Sequence, residues 1–394
     1  MSAAKSPPAV LLGGAATAVP VARSLARAGV EVTALGSAID AIRWSRRCHR
    51  FVDLGSGRGV QERWLRWLLE ESPDGAVVLV CSDDGLELVA GHRGELANRG
   101  LVLPELNDEL ALALLDKMRT YELSRSSGVD APRCVEVRSL ADLDGLAESV
   151  SFPCALKPVK SHLFQRHFNA RKLFTARDAS ELREAIALTE PLGLVMMLTE
   201  IVPGPDEGFQ SYYAYIDSDG RRLCELTKRK PRQFPAKFGV GTYHVTDWDE
   251  EVADVGRRFF DAVGARGLAN VEFKRDERDG RLKLIESNYR FTGGTANLHA
   301  AGFDIALFVY RRMTGGPLPA MAYRRGVHLW NPVQDIQALA QYRRLGELTF
   351  RGWIGSLLHR QTFPVARLDD PLPTIVWNLR LALRALAKLV RRLR

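Results

Sequence analysis

The chain has 394 residues, 46% apolar and 26% charged, with 33 Gly and 19 Pro. That composition excludes collagen-like, low-complexity and extensively disordered architectures and leaves room for about two or three domains. The net charge of +8 is unevenly spread: residues 351–394 hold nine Lys/Arg and two Asp, so +7 of it lies there and the first 350 residues are nearly neutral. A general nucleic-acid-binding surface is therefore not expected, whereas a localised basic tail is.

The five cysteines (Cys48, Cys81, Cys134, Cys154, Cys224) are scattered and form no C-x-x-C pair. Zinc ribbons and a disulfide framework are not expected, and a reducing, cytoplasmic setting is. The opening MSAAKSPPAV lacks the apolar stretch of a secretory signal. No uncharged apolar run is long enough to predict a spanning helix.

The chain opens as strand, turn, helix, strand: Ala9–Leu12, Gly13-Gly14, a helix over about Val19–Ala28, and Val30–Leu35. This alternation predicts a parallel α/β sheet. The turn departs from G-x-G-x-x-G, and no acidic ribose ligand ends the second strand, so a structural Rossmann-like unit is expected. Gly75–Cys81 reads as another strand, followed by Ser82-Asp83-Asp84-Gly85, whose aspartates either bind a ligand at the strand end or, the favoured reading, cap the helix from about Leu86. A long helix is predicted over about Asn107–Ser124.

A second α/β unit follows, with strands Cys134–Val137, Cys154–Pro158, Leu173–Thr175 and Leu194–Glu200 and helices Leu140–Glu148 and Ala179–Thr189. Residues 159–171 read as a polar, basic loop. Gly208–Asp217 and Arg222–Lys228 then form a hairpin around Asp217–Gly220. A helix near Glu250–Val263 precedes the strands Gly267–Lys274 and Leu282–Glu286.

Three segments carry chemistry. In the first, Glu272 lies on one strand and Glu286 on the next, followed by Asn288 and Arg290. Two carboxylates and an amide oxygen make a hard-oxygen set suited to Mg²⁺ on nucleotide phosphates, and Arg290 would face the same charge. The alternative is a surface hairpin with ordinary charges. In the second, Lys157 ends a buried strand and needs a counter-charge, for which phosphate is a natural partner; the alternative is a snorkelling lysine. In the third, an apolar strand runs through Glu200, Ile201 and Val202 into Pro203-Gly204-Pro205 and Glu207, a hinge or simply a turn.

In this order the three segments resemble the ATP-grasp superfamily of carboxylate–amine ligases over about residues 1–315, and are most similar to its D-aspartate-ligase-like and carbamoyl-phosphate-synthetase-like members. The resemblance implies a mixed α/β and α+β fold. A Rossmann-like pre-ATP-grasp domain would span 1–105 and a two-lobed ATP-grasp domain 106–318, with lobes 106–197 and 198–318. A C-terminal extension, 319–394, would follow. It implies ATP with Mg²⁺, Mn²⁺ being an alternative ion. Lys117 resembles the first ATP lysine and Lys157 the second, on the α- and β-phosphates. Glu200, Ile201 and Val202 resemble the adenine hinge, and Glu207 the ribose carboxylate. Glu272, Glu286 and Asn288 match the metal ligands, and Arg290 the arginine of E-x-N-x-R. The basic stretch 227–233, with Lys228 and Arg232, would face the γ-phosphate or an anionic substrate; an exposed basic edge strand is the other reading. One departure is that residues 159–171 contain no glycine where the superfamily often has a glycine-rich phosphate lid.

The implied reaction joins a carboxylate to an amine through an acyl phosphate, releasing ADP and phosphate, by positioning and charge stabilisation rather than a protein nucleophile. Loop 159–171 would exclude water. Gly293-Gly294-Thr295, Asn297 and His299 would line the acceptor pocket, or else form a turn and helix cap. The rival readings are a membrane-associated ATP-binding scaffold and an ATP-grasp phosphoryl or carboxyl transferase making no amide. The expected substrates are small-molecule or envelope-precursor carboxylates and amines.

The final segment, residues 372–394, is an amphipathic basic helix in which Val376, Leu379, Leu383, Leu386, Val390 and Leu393 step by three and four. It reads as a peripheral anchor on the inner face of an anionic membrane, as a homodimerisation helix, or as a helix docked on its own domain.

Overall fold

The computed structural model describes residues 6–145, 151–168 and 172–393. Its strands in chain order are β1 Ala9–Leu12, β2 Val32–Gly36, β3 Arg50–Asp53, β4 Val77–Val80, β5 Cys134–Val137, β6 Cys154–Pro158, β7 Phe174–Ala176, β8 Met196–Glu200, β9 Phe209–Ile216, β10 Arg222–Phe234, β11 Val240–Asp247, β12 Gly267–Arg275, β13 Leu282–Asn288, β14 His328–Trp330 and β15 Gln361–Thr362. Two compact units result. One comprises Met1–Pro104, Thr242–Thr246 and Arg290–Arg394; the other comprises Glu105–Gly241 and Asp247–Tyr289. Compactness thus groups the C-terminal quarter with the N-terminal segment, where the sequence reading divides the chain at about 105 and 318.

In the first unit β3-β2-β1-β4 form a parallel sheet. β1 (AVLL) and β4 (VVLV) are buried at every residue, as strands covered on both faces must be. Gly14 explains the turn after β1. It has φ 87°, and a Cβ there would lie 2.4 Å from the Cys81 carbonyl oxygen. The glycine pair therefore serves close packing at the strand ends. Asp83 does not cap its helix, as the sequence suggested; the cap is Ser82, whose hydroxyl accepts from the Gly85 N–H at 3.1 Å. Elsewhere in this unit Tyr243, His244 and Val245 of β11 pair antiparallel with β14, and β15 adds in parallel.

In the second unit β5-β8-β6-β7 form one antiparallel sheet. Its core gathers Leu156, Phe164, Phe174, Ile186 and Leu198. β13-β12-β9-β10 form another antiparallel sheet, against which the helix Glu250–Ala262 packs.

Several expectations are corrected. The long helix breaks into Asp108–Leu114 and Lys117–Ser126, because Asn107 and Asp116 each cap a new start by accepting from the N–H three residues on. The helix expected over Leu140–Glu148 is a 3₁₀ turn, Leu140–Gly145, and its last residues lie outside the described ones. The loop 159–171 contains a helix, Ser161–Phe168. Phe164 and Phe168, four apart, stack at 4.5 Å and meet Phe174 edge-on, which gives this polar stretch an apolar face to bury. β10 continues to Phe234, six residues past the expected end.

Candidate active site

The second unit assembles most of the expected site on one sheet face. Glu272 lies directly opposite Glu286, and Asn270 opposite Asn288. Lys228 pairs with Ser211, and Ser211 with Glu272. One row therefore crosses four strands as Lys228, Ser211, Glu272, Glu286, about 14 Å from end to end at strand spacing. Alternation puts Lys230 and Arg232 on the Lys228 face and Asn288 on the Glu286 face. The β12–β13 register shifts just after Glu272. This bulge, of the kind that re-aims neighbouring side chains, leaves Ile285 unopposed, and its carbonyl accepts from the Tyr121 hydroxyl at 3.3 Å.

The basic stretch is not an exposed edge. Lys228, Lys230 and Arg232 are all buried, at 4%, 6% and 5% exposure. Lys230 Nζ donates to Glu272 Oε1 at 2.7 Å and lies 4.1 Å from the centre of the Phe209 ring. Burial pushes the Lys228 ammonium down to about 8, with Lys230 adding to the shift and Glu272 opposing it. The intervening Arg229 faces the other way and pairs with Asp247 at 3.0 Å, a structural contact.

Lys157 stands at the end of β6 and Lys117 at the first turn of its helix, where Lys117 Nζ donates to Ser161 Oγ at 2.5 Å. Burial pushes Lys157 down to about 8; the positive charge of Lys117 adds to this, and Glu286 works against it. Lys172 is exposed as a whole residue, but its ammonium end is desolvated and its pKa is lowered too, while Glu286 and Glu272 resist and Lys230 contributes to the lowering. Its Nζ donates to the Gly239 carbonyl at 3.0 Å. Lys117, Lys157, Lys172, Lys228 and Lys230 gather around Glu272 and Glu286, an arrangement that suits an anionic ligand.

The Glu200–Glu207 segment is fixed from three sides. Glu200 accepts from the Arg133 N–H at 2.9 Å and from Arg278 at 3.0 Å. The Val202 carbonyl accepts from Lys274 Nζ at 2.7 Å, tying this segment to the strand that carries Glu272. Ile201 is half-buried, Val202 buried and Glu207 exposed. Asp206 accepts from the Lys237 N–H at 2.8 Å.

Arg290 belongs to the other unit by compactness, two residues along the chain from Asn288. Its Nε donates to Asp83 Oδ1 at 2.5 Å, and the neighbouring Phe291 N–H donates to the Val80 carbonyl at 3.1 Å. Asp83 is thus a partner of Arg290 rather than a cap. In the same unit His299 pairs with Asp304 at 3.1 Å, and Asn297 is fully buried in the short helix Thr295–Ala300.

Sequence reasoning missed Lys172 and Lys274 as members of this environment. Lys274 was legible as the residue two after Glu272 on a strand, hence on its face. Lys172 follows a stretch with no strand signal, and nothing in the pattern marks it.

A divalent ion has a fitting donor set here. Glu272 and Glu286 are hard anionic oxygen donors placed side by side by the ladder, Asn288 offers an amide oxygen, and Glu272 already carries a cation, the Lys230 ammonium. Among the described residues no cluster of three His, Cys, Asp or Glu offers another metal site.

No protein-family model matches the chain. Among characterised proteins it is similar to a D-aspartate ligase of Enterococcus faecium, 26% identical over 242 residues, covering 59% of this chain and 57% of the ligase. It is also similar to a D-alanine–D-alanine ligase of Chromohalobacter salexigens, 28% identical over 200 residues, covering 45% and 56%. The chain thus spans less than two thirds of the length of either relative. Among solved structures it resembles an N5-carboxyaminoimidazole ribonucleotide synthetase in its ADP complex, at TM-score 0.65, 14% identity and 88% coverage of each chain. It resembles likewise an L-amino acid ligase from Bacillus licheniformis, at TM-score 0.61, 19% identity and coverage of 82% and 79%. The fold is the one these enzymes share, the ATP-grasp fold.

Proposed function

We propose that this chain, an ATP-grasp protein by its fold, is an ATP-dependent ligase that joins a carboxylate to an amine through an acyl phosphate, releasing ADP and phosphate. The observation that carries the reading is the row Lys228, Ser211, Glu272, Glu286, a paired-carboxylate centre flanked by buried ammonium groups. The likeness to amino-acid ligases supports the same chemistry.

On this reading Lys117 and Lys157 hold the phosphates of ATP, and Lys157 takes up its proton more firmly as an anion arrives. The Val202 N–H and the Glu200 carbonyl read the adenine edge, since Lys274 occupies the Val202 carbonyl. Glu207 accepts from the ribose hydroxyls. Glu272, Glu286 and Asn288 would hold Mg²⁺, or Mn²⁺, whose chemistry is to neutralise phosphate charge as the γ-phosphoryl group transfers. Lys228 and Arg232 stabilise the negative charge that develops on the transferring phosphoryl, a role that the family resemblance gives to Arg290 as well. A substrate carboxylate oxygen attacks the γ-phosphorus, the bond to the bridging oxygen breaks, and ADP leaves. The amine nitrogen then attacks the acyl carbon, phosphate departs, and the amine's surplus protons pass to solvent. The helix Ser161–Phe168 takes the water-excluding role expected of a glycine-rich lid.

The substrates proposed are amino-acid-like or envelope-precursor carboxylates and amines. The setting proposed is the cytoplasm, with the tail 372–394 making peripheral contact with the inner face of the membrane. The test is ADP release with Mg²⁺-ATP across amino acids added singly and in pairs. Release that requires both a carboxylate and an amine, and that Glu286→Gln reduces by about a hundredfold or more, supports the ligase. ATP binding with no ADP release from any pair or from a lipid-linked precursor would favour a scaffold, and unchanged release in the variant would remove Glu286 from the metal set.

A further inference from the structure

The C-terminal helix, Leu372–Leu393, exposes an apolar row. Leu372, Ile375, Leu379 and Leu383 are 52%, 56%, 57% and 56% exposed. At 100° per residue the four fall within an arc of about 80°, a single face. The helix is not free at its start. Asp370, 1% exposed, accepts from Arg23 Nε at 2.8 Å, from the Ser45 hydroxyl at 2.7 Å and from the Arg46 N–H at 3.0 Å. Arg23 Nη1 also donates to the Val365 carbonyl at 2.6 Å, and Thr374 to the same oxygen at 3.1 Å. Further along, Arg380 donates to the Ala38 carbonyl at 3.3 Å, and the 3₁₀ turn Ala41–Trp44 packs against the helix. That neighbouring segment exposes apolar groups of its own, Ile39 at 55% and Trp44 at 40%. Arg43 and Arg46 beside them are exposed as well.

We propose that the helix face and the Ile39–Trp44 turn form one composite surface that docks on the face of a bilayer rich in anionic lipid. The inference rests on the membrane reading of the tail and adds the turn to it. The occupant follows from charge: residues 351–394 carry +7 of the chain's +8. At the turn Arg43, Arg46 and Arg47 outnumber Asp40 and Asp53, the latter paired with Arg43 at 3.4 Å. A second copy of the chain would set the same positive face against itself, whereas an anionic headgroup layer complements it. An exposed tryptophan on a turn packed against the helix, with Arg43 beside it, suits the headgroup boundary, and the helix's apolar row suits the acyl region beneath. Among the described residues no helix is long and apolar enough to cross a membrane, so the contact lies in the interface plane.

The experiment is sedimentation of the full chain with vesicles of phosphatidylcholine alone or mixed with phosphatidylserine. The expected result is binding to the mixed vesicles that salt reverses and little binding to neutral ones. The double variant Ile39→Ser/Trp44→Ser should weaken that binding by about tenfold or more, as should Leu379→Ser/Leu383→Ser, with far-ultraviolet circular dichroism and thermal midpoint unchanged. Undiminished binding by the Ile39/Trp44 variant overturns the composite surface and leaves the tail as sole anchor. No binding of the parent chain overturns both. A dimer in sedimentation velocity that the Leu379/Leu383 variant dissolves would assign the face to a second copy instead. None of these outcomes touches the ligase reading, which the ADP assay decides separately.

Discussion

ATP affinity should fall steeply between pH 7 and pH 9, because the lysines that meet the phosphates begin to lose their protons there. Burial has brought Lys157 from 10.5 to about 8. A bound phosphate restores the preference for the ammonium. If binding returns the group to its ordinary range, the dissociation constant of ATP rises about tenfold from pH 7 to pH 9 through Lys157 alone. Lys228, also at about 8, contributes a similar factor if it too meets phosphate. Isothermal titration calorimetry at three pH values, in buffers of different ionisation enthalpy, would report both the affinity and the proton uptake. Lys157→Arg stays charged throughout and should remove its share of the slope, whatever it does to affinity at pH 7. The stability of the unliganded protein should move oppositely. From about pH 8 to 10.5 the unfolded chain holds more protons than the folded one, so stability rises with pH. A dissociation constant that changes less than twofold across this range, with no proton uptake, would refute the assignment of Lys157 to phosphate.

Two predictions concern the scaffold. Gly14→Ala should cost more than about 2 kcal/mol in urea unfolding, since the new Cβ would meet the Cys81 carbonyl in a left-handed backbone conformation; a change within 0.5 kcal/mol, roughly that of a neutral surface substitution, would show that the turn relaxes freely. Asp370→Ala should cost about 3–5 kcal/mol, because it strands the buried Arg23 guanidinium and frees the root of the C-terminal helix. A thermal midpoint equal to that of the parent would contradict that clamp.

Where the pattern was regular, the sequence was informative. β1, β4 and β6 are short apolar runs bounded by turn residues, and they lie within a residue or two of where periodicity put them. Glu272 and Glu286 could be paired in advance because a tight turn between two strands brings their far ends into register. What stayed hidden depended on tertiary partners. β3, Arg50–Asp53, has no apolar run and forms by adding to the edge of a sheet. The helix Ser161–Phe168 reads as a polar loop until Phe174 and the sheet supply a surface for Phe164 and Phe168. Asp83 looks like a cap because its neighbour Ser82 is one, and its partner Arg290 is 207 residues away. The burial of Lys228, Lys230 and Arg232 runs against every composition-based expectation for a stretch with four cations in five residues.

That burial needs an account, and Lys230 gives the sharpest one. Its ammonium is held on Glu272 at 2.7 Å with both side chains largely buried, so the pair neutralises itself while the site waits for ligand. A divalent ion at Glu272 must share or displace that ammonium, and the ammonium then becomes available to phosphate. Lys230→Met should therefore separate two quantities. The Mg²⁺ concentration for half-maximal ADP release should fall by about tenfold, the worth of one buried charge-assisted hydrogen bond no longer in competition. The maximal rate should fall at the same time, because a cation that would have followed the phosphoryl group is gone. Lys230→Arg should keep most of the rate without the gain in metal affinity. A half-saturating Mg²⁺ concentration that rises in Lys230→Met would mean that the lysine organises Glu272 for the metal rather than competing with it, and the self-neutralising account of the buried row would fall.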